Sequence, residues 1–125
     1  MTQQQTLQQK RAAHAWSAVE QVDRKSFKKD YGSLVRGLPA MIQTDGLSHT
    51  LAFLKAKGKD HHKSAYGTLS QWVMSEIGKD GDLLEHLLHC STSEYRRATS
   101  EALAYLHWLK RFVEAKGWKN ETGDR

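Results

Sequence analysis

This chain of 125 residues contains one proline, one cysteine and few valines or isoleucines. No apolar run approaches the roughly 18 residues that suggest a membrane span. Each absence excludes something. With Cys90 alone there can be no intrachain disulfide, so a reducing compartment is expected, by default the cytoplasm. The opening MTQQQTLQQKRAAHAW lacks the apolar centre of a signal peptide. Scarce β-branched residues beside many Leu and Ala residues leave little material for strands, and the chain reads as all-α. There is no Gly-rich phosphate loop, since the glycines fall singly at element ends where a turn needs positive φ, Gly46 and Gly117 most clearly. No CxxC or HExxH motif occurs, and no paired carboxylates or activated nucleophile can be placed. No cofactor and no metal are therefore expected, and the chain is not expected to be an enzyme.

What is present is basic and helical. Nineteen Lys and Arg against fourteen Asp and Glu give a formal charge of +5, which favours acidic partners without requiring them. A chain of this length is normally one domain, here 1–125 with short polar ends at 1–5 and 118–125, and folding buries about two-thirds of the unfolded surface. A compact bundle of five to six helices ending in one long helix is expected.

The long helix is STSEYRRATSEALAYLHWLKRFVEAKG, from Ser91 to Gly117. At 100° per residue, Tyr95, Ala98, Ala102, Leu106, Leu109 and Val113 form one stripe, widened by Tyr105 and Phe112. The opposite side collects Arg96, Arg97, Ser100, His107 and Arg111, with Trp108 at its edge. Ser91 and Glu94 have capping-box spacing, and Gly117 sits where a left-handed residue ends a helix.

Upstream, residues 4 to 23 carry a helical pattern that Thr6 could cap, with Ala12, Ala15, Trp16, Val19 and Val22 inward. RKSFKKD reads as a solvated connection with Asp30 as an N-cap. From Tyr31 the apolar positions keep helical spacing, and Pro39 predicts a kink or break near Gly37 to Pro39. A short helix from Leu47 to about Lys57 follows, then GKDHHK as an exposed loop. Next come a helix from about Ser64 to Ile77 carrying Trp72 inward, the closing GKDGD, and the apolar piece LLEHLLHC. Trp118 is undecided between core and surface, and the polar tail beyond it is expected to fray.

Two ordered phrases, SLxRxLPxMIQxxGLxxTLAFL within residues 31 to 58 and EYRRATxEALAxLxWLKRF within 91 to 117, resemble the small helical subunit of Cmr-type, or type III-B, CRISPR RNA-guided effector complexes. The resemblance does not extend through residues 59 to 90. It implies a non-catalytic building block of a prokaryotic antiviral machine, stacked with copies of itself beside the RNA-bearing subunits and helping to line the guide and target RNA channel. Cleavage and signalling chemistry belong to other subunits of that family.

The candidate contact residues are Arg96, Arg97, Lys110, Arg111 and Trp108, with Arg36, Lys55 and Lys57 as extensions, joined by Lys59 and Lys63 on the same loop. Phosphate contact is the expected mode, because guide pairing supplies sequence specificity. A solvated face is the competing reading, since Glu94, Glu101 and Glu114 stand three or four positions from Arg97 and Lys110. Trp108 suits either stacking on a base or wrapping the edge of the core. His86, His89 and Cys90 are close on a helix, with His61 and His62 as further donors, but zinc needs three or four convergent ligands, so these read as surface or interface histidines. His61 and His62 beside Asp60 are the compact arrangement that nuclease chemistry would require, and read better as loop residues.

The alternative is a standalone helical nucleic-acid binder using the turn at Gly46. Against it, GLSHTLAFL is poor in base-reading Arg, Asn and Gln. The isolated chain is expected to be a monomer, with the leucines of 83 to 88 as the candidate apolar contact.

Overall fold

The computed structural model describes residues 4–118. The N-terminal part of the polar segment 1–5 and the tail after Trp118 therefore lie outside the described residues. Among the described residues six helices follow one another: α1 Leu7–Val22, α2 Lys28–Asp45, α3 Leu47–Lys57, α4 Asp60–Ile77, α5 Leu83–Leu87 and α6 Thr92–Lys116. The long α6 packs against α1, α2 and α4, while α3 and α5 close the bundle on α4. Among the described residues no strand occurs, and no helix is long and apolar enough to cross a membrane.

The stripe anticipated on α6 is the core. Ala98, Ala102, Tyr105, Leu106, Leu109 and Val113 are buried, facing Tyr31, Val35 and Leu38 of α2, Ala15 and Val19 of α1, and Leu69, Trp72 and Val73 of α4. Tyr95 is half-buried, and its hydroxyl accepts the Ser48 N–H at the start of α3, at 3.0 Å. Both ends of α6 are closed chemically. Ser91 Oγ accepts the Glu94 N–H at 3.1 Å, and Gly117, with φ 76°, lets Trp118 N–H reach the Val113 carbonyl at 3.1 Å. At the other predicted glycine turn, Gly46 has φ 92°.

Several local expectations are overturned. α2 runs unbroken through Pro39, which costs the Val35 carbonyl its usual partner. Tyr31, Val35, Leu38, Pro39 and Ile42 are all buried, and that packing outweighs the local penalty. The connection RKSFKKD is shorter than expected, since α2 already starts at Lys28. Asp30 lies in its first turn, where it complements the helix dipole, and Phe27 takes the cap position. GKDHHK is not a loop beyond Gly58 and Lys59, because α4 begins at Asp60 and buries His62 against the Phe53 ring, centroids 6.0 Å apart. Burial first, then the charges of His61, Lys57 and Lys59, hold the His62 pKa below its usual value.

Trp16, expected in the core, is 39% exposed. The buried line of α1 is Ala15, Val19 and Val22, which leaves Trp16 edge-on to Phe112 at the rim, centroids 5.0 Å apart. Trp118 is buried instead, 6.4 Å from the Tyr31 ring. Its seat depends on Gly32, where a Cβ would stand 2.7 Å from Trp118 Cβ and closer still to the Trp118 carbonyl oxygen. Of the leucines in 83 to 88, Leu83 and Leu87 are buried and only Leu88 is largely exposed.

Candidate functional site

The site begins with a charge that the sequence placed at the surface. Glu101 is buried, and Arg11 of α1 grips it with two bonds, Nε to Oε2 at 2.6 Å and Nη2 to Oε1 at 2.8 Å. Trp72 Nε1 of α4 donates to Oε2 at 2.8 Å. Around this knot His14 Nδ1 shares a 2.6 Å hydrogen bond with the Tyr105 hydroxyl, and the Trp72 and Tyr105 rings stack 5.5 Å apart. Burial by itself raises the Glu101 carboxyl pKa, but the hydrogen bonds from Arg11 and Trp72 and the Arg11 charge more than offset it, so the pKa lies below the ordinary value. Glu101 is thus held mainly by Arg11 and Trp72, with the Arg97 charge adding a smaller pull in the same direction.

Just outside the knot, Gln8 and Arg11 of α1 and Ala104, His107, Trp108 and Arg111 of α6 line an open groove of about 350 Å³. Trp108 is half-buried and leans on Phe112, centroids 5.5 Å apart, so one side of the indole is supported by protein. The Arg111 side chain is 80% exposed and, among the described residues, pairs with Glu114 on its own helix at 3.6 Å. A planar indole beside an exposed guanidinium can stack on a ring and pair with an anion.

The remaining candidates do not converge on this groove. Arg97 is exposed, yet its Nη2 donates to the Glu76 carbonyl near the end of α4 at 2.9 Å. It lies on the same side of α6 as Arg111, about 21 Å away along the axis at 1.5 Å per residue. Arg96 is exposed and Lys110 half-buried, both further round α6. Arg36 lines a different hollow with Glu114, Gly117 and Trp118. Lys55 sits 4.9 Å over the Tyr66 ring and 3.3 Å from Asp82, while Lys57 lies 5.9 Å from the Phe53 ring centre. Asp82 in turn caps α5 and accepts the Tyr66 hydroxyl at 2.6 Å, so Lys55 belongs to a bracket joining α3, α4 and α5.

Residues 7–116 match the family model described as CRISPR-associated protein (Cas_Cmr5). The chain belongs to the Cmr5 family. The Thermotoga maritima protein named CRISPR system Cmr subunit Cmr5 is 37% identical over 120 residues, covering 94% of this chain and 91% of that one. Its namesake from Thermus thermophilus is 29% identical over 111 residues, 83% of this chain and 90% of the relative. The crystal structure of a CRISPR-associated Cmr5 family protein, also from Thermus thermophilus, superposes with a TM-score of 0.78 at 30% identity, covering 90% of this chain and 97% of that one. The Cmr5 match also spans the middle, 59 to 90, where the two sequence phrases offered no guidance.

In this Cmr5-family chain, reasoning from sequence missed Arg11 as a wall of the groove. It also missed Glu101, although the helical wheel puts Glu101 only about 20° from Phe112, at the border of the core stripe. Among the described residues, the metal-donor atoms that converge belong to His86, Cys90 and Glu94. Glu94 rather than His89 joins His86 and Cys90 there, although these histidines were read as surface residues, and His61 and His62 stay at the start of α4.

Proposed function

We propose that this chain is the small, non-catalytic subunit of a Cmr-type RNA-guided effector complex, and that its α1–α6 groove meets the backbone of the guide or target RNA. The observation that carries the RNA contact is that Arg111, 80% exposed, and Trp108 stand side by side on the α6 wall of the open α1–α6 groove. Family membership and relatives named as Cmr subunits support the assembly role. Arg111 exchanges its weak intrahelical partner Glu114 for a phosphate, and Trp108 offers its open side to a sugar or a base. Arg97, on the same side of the helix, adds a second phosphate contact further along the strand. Such contacts position RNA without reading sequence, which suits a machine whose specificity comes from guide pairing. Neighbouring Cmr subunits and further copies of the chain are its protein partners.

Two experiments test this. Tagged protein from its native cell is expected to co-purify with a multi-subunit complex containing RNA, and its isolation without other subunits would count against the assembly role. Arg97→Glu with Arg111→Glu is expected to keep the helical circular-dichroism signal while weakening target-RNA binding by the complex. Unchanged RNA binding would remove the groove from the RNA path.

A further inference from the structure

The junction of α5 and α6 lies away from the groove and carries a different chemistry. His86 lies near the end of α5, Cys90 stands in the connection, and Glu94 lies in the first turn of α6. One donor atom from each lies within 4.8 Å of the other two. They face a hollow of about 380 Å³ that Asp80, Asp82 and Glu85 also line, a local excess of carboxylates in a chain of net charge +5.

The second observation concerns His86. Among the described residues its Nε2 is buried without a hydrogen-bond partner, with the Glu94 carboxylate 4.0 Å away, beyond hydrogen-bond range. A buried polar atom left unpaired is costly, and a native fold normally satisfies it. Among the described residues Cys90 Sγ has a weak contact, 3.8 Å from the Leu87 carbonyl. All three donors are thus near one another and poorly used by the protein itself.

We propose that His86, Cys90 and Glu94 bind a borderline divalent transition metal ion, zinc by preference, at the α5–α6 junction. Imidazole nitrogen, thiolate sulfur and carboxylate oxygen together are a zinc donor set, with ligand bonds of about 2.0 to 2.3 Å. In a tetrahedral shell such bonds put neighbouring donors roughly 3.3 to 3.8 Å apart. The present spread of 4.8 Å needs a contraction that the Glu94 side chain, 46% exposed, can supply by rotation. The fourth position is open to water or to His89, which lines the same hollow. The ion ties a five-residue helix, too short to be stable alone, to the start of the longest helix. The sequence argued against a metal because it offered neither a CxxC or HExxH motif nor three or four ligands that visibly converge. Folding brings Glu94 in as the third donor.

Tag-free full-length protein, kept reduced and stripped of metal, tests the site with zinc and cobalt ions as the probes. One equivalent of cobalt is expected to bring thiolate-to-metal charge-transfer absorption in the near ultraviolet, and zinc is expected to displace it. Cys90→Ser is expected to abolish that band, and His86→Gln or Glu94→Gln to weaken zinc binding about tenfold or more. Glu94→Gln changes an exposed side chain, so it keeps the test informative should His86→Gln fail to fold. No saturable zinc binding at micromolar protein would overturn the proposal. So would zinc binding of unchanged affinity in Cys90→Ser and Glu94→Gln, because the ion would then sit elsewhere.

Discussion

The Arg11–Glu101 and Arg111–Glu114 pairs lie about three turns apart on α6 and are chemically alike, yet they do different work. The first is bidentate, with side chains 19% and 10% exposed, a third partner in Trp72, and links to three helices. The second spans 3.6 Å between side chains 80% and 38% exposed on a single helix. Burial decides the difference. A desolvated pair cannot lose one member without stranding the other, whereas an exposed pair stabilises by a few tenths of a kcal/mol and releases its arginine readily. The knot therefore fixes the shape of the groove, and the groove keeps Arg111 and Trp108 available.

The sharpest way to break the comparison is to cut both pairs. Glu101→Ala is expected to cost about 3 kcal/mol in urea unfolding, because Arg11 and the Trp72 indole lose their shared acceptor. Glu114→Ala is expected to cost less than about 0.5 kcal/mol. Equal costs would refute the division between structural and available charges.

A second pair of substitutions probes the close fit of the interior. Gly32→Ala is expected to destabilise by about 2 kcal/mol, since the new methyl overlaps the Trp118 backbone. Gly37→Ala, five positions along the same helix, meets nothing within 4 Å and is expected to be neutral or stabilising by about 0.5 kcal/mol. Similar losses at both positions would show that Trp118 is not seated as described.

Acid titrates the buried pair. The folded-state Glu101 carboxyl lies below its ordinary pKa, so the unfolded chain binds more protons there as the pH falls. Its stabilisation is full above the ordinary glutamate value of about 4.3 and is lost as pH falls through the lowered folded one. Urea midpoints followed from about pH 6 to about pH 3 are expected to drop more in the parent than in Glu101→Gln. Parallel curves would mean that Glu101 is not paired as charged.

Much of this was legible in the sequence because α6 obeys a single rule over its whole length. Apolar spacing located its core stripe, and Ser91 and Gly117 located its ends. Trp16 and Pro39 misled for the same reason, since periodicity ranks faces and tertiary packing decides between neighbours. Trp16 lost its core place to Ala15 and Val19, and Pro39 was overruled by the buried side of α2. The basic face was visible as a list of residues, but not its division. Arg97 reaches the end of α4, Lys55 leans on Tyr66, and Arg36 turns to another hollow, all contacts made between different helices. No local pattern encodes such meetings, nor the approach of Glu94 to His86 and Cys90 across a helix boundary.

The smallest expected effect is on salt dependence. Arg111→Glu is expected to leave stability within about 0.5 kcal/mol of the parent and to lower the slope of log K against log salt by about 0.7 for one lost phosphate contact on single-stranded RNA. An unchanged slope would assign Arg111 to protein contact alone.

Target-RNA affinity of the reconstituted complex, read by fluorescence anisotropy, tests the central claim most directly when two double variants are compared. Arg111→Glu with Trp108→Ala, which alters the open groove, is expected to weaken binding at least about tenfold. Lys55→Glu with Lys57→Glu, which alters twice the charge near the end of α3, is expected to change it by less than about threefold. Equal losses, or a loss confined to the lysine variant, would contradict the assignment of the RNA path to the α1–α6 groove.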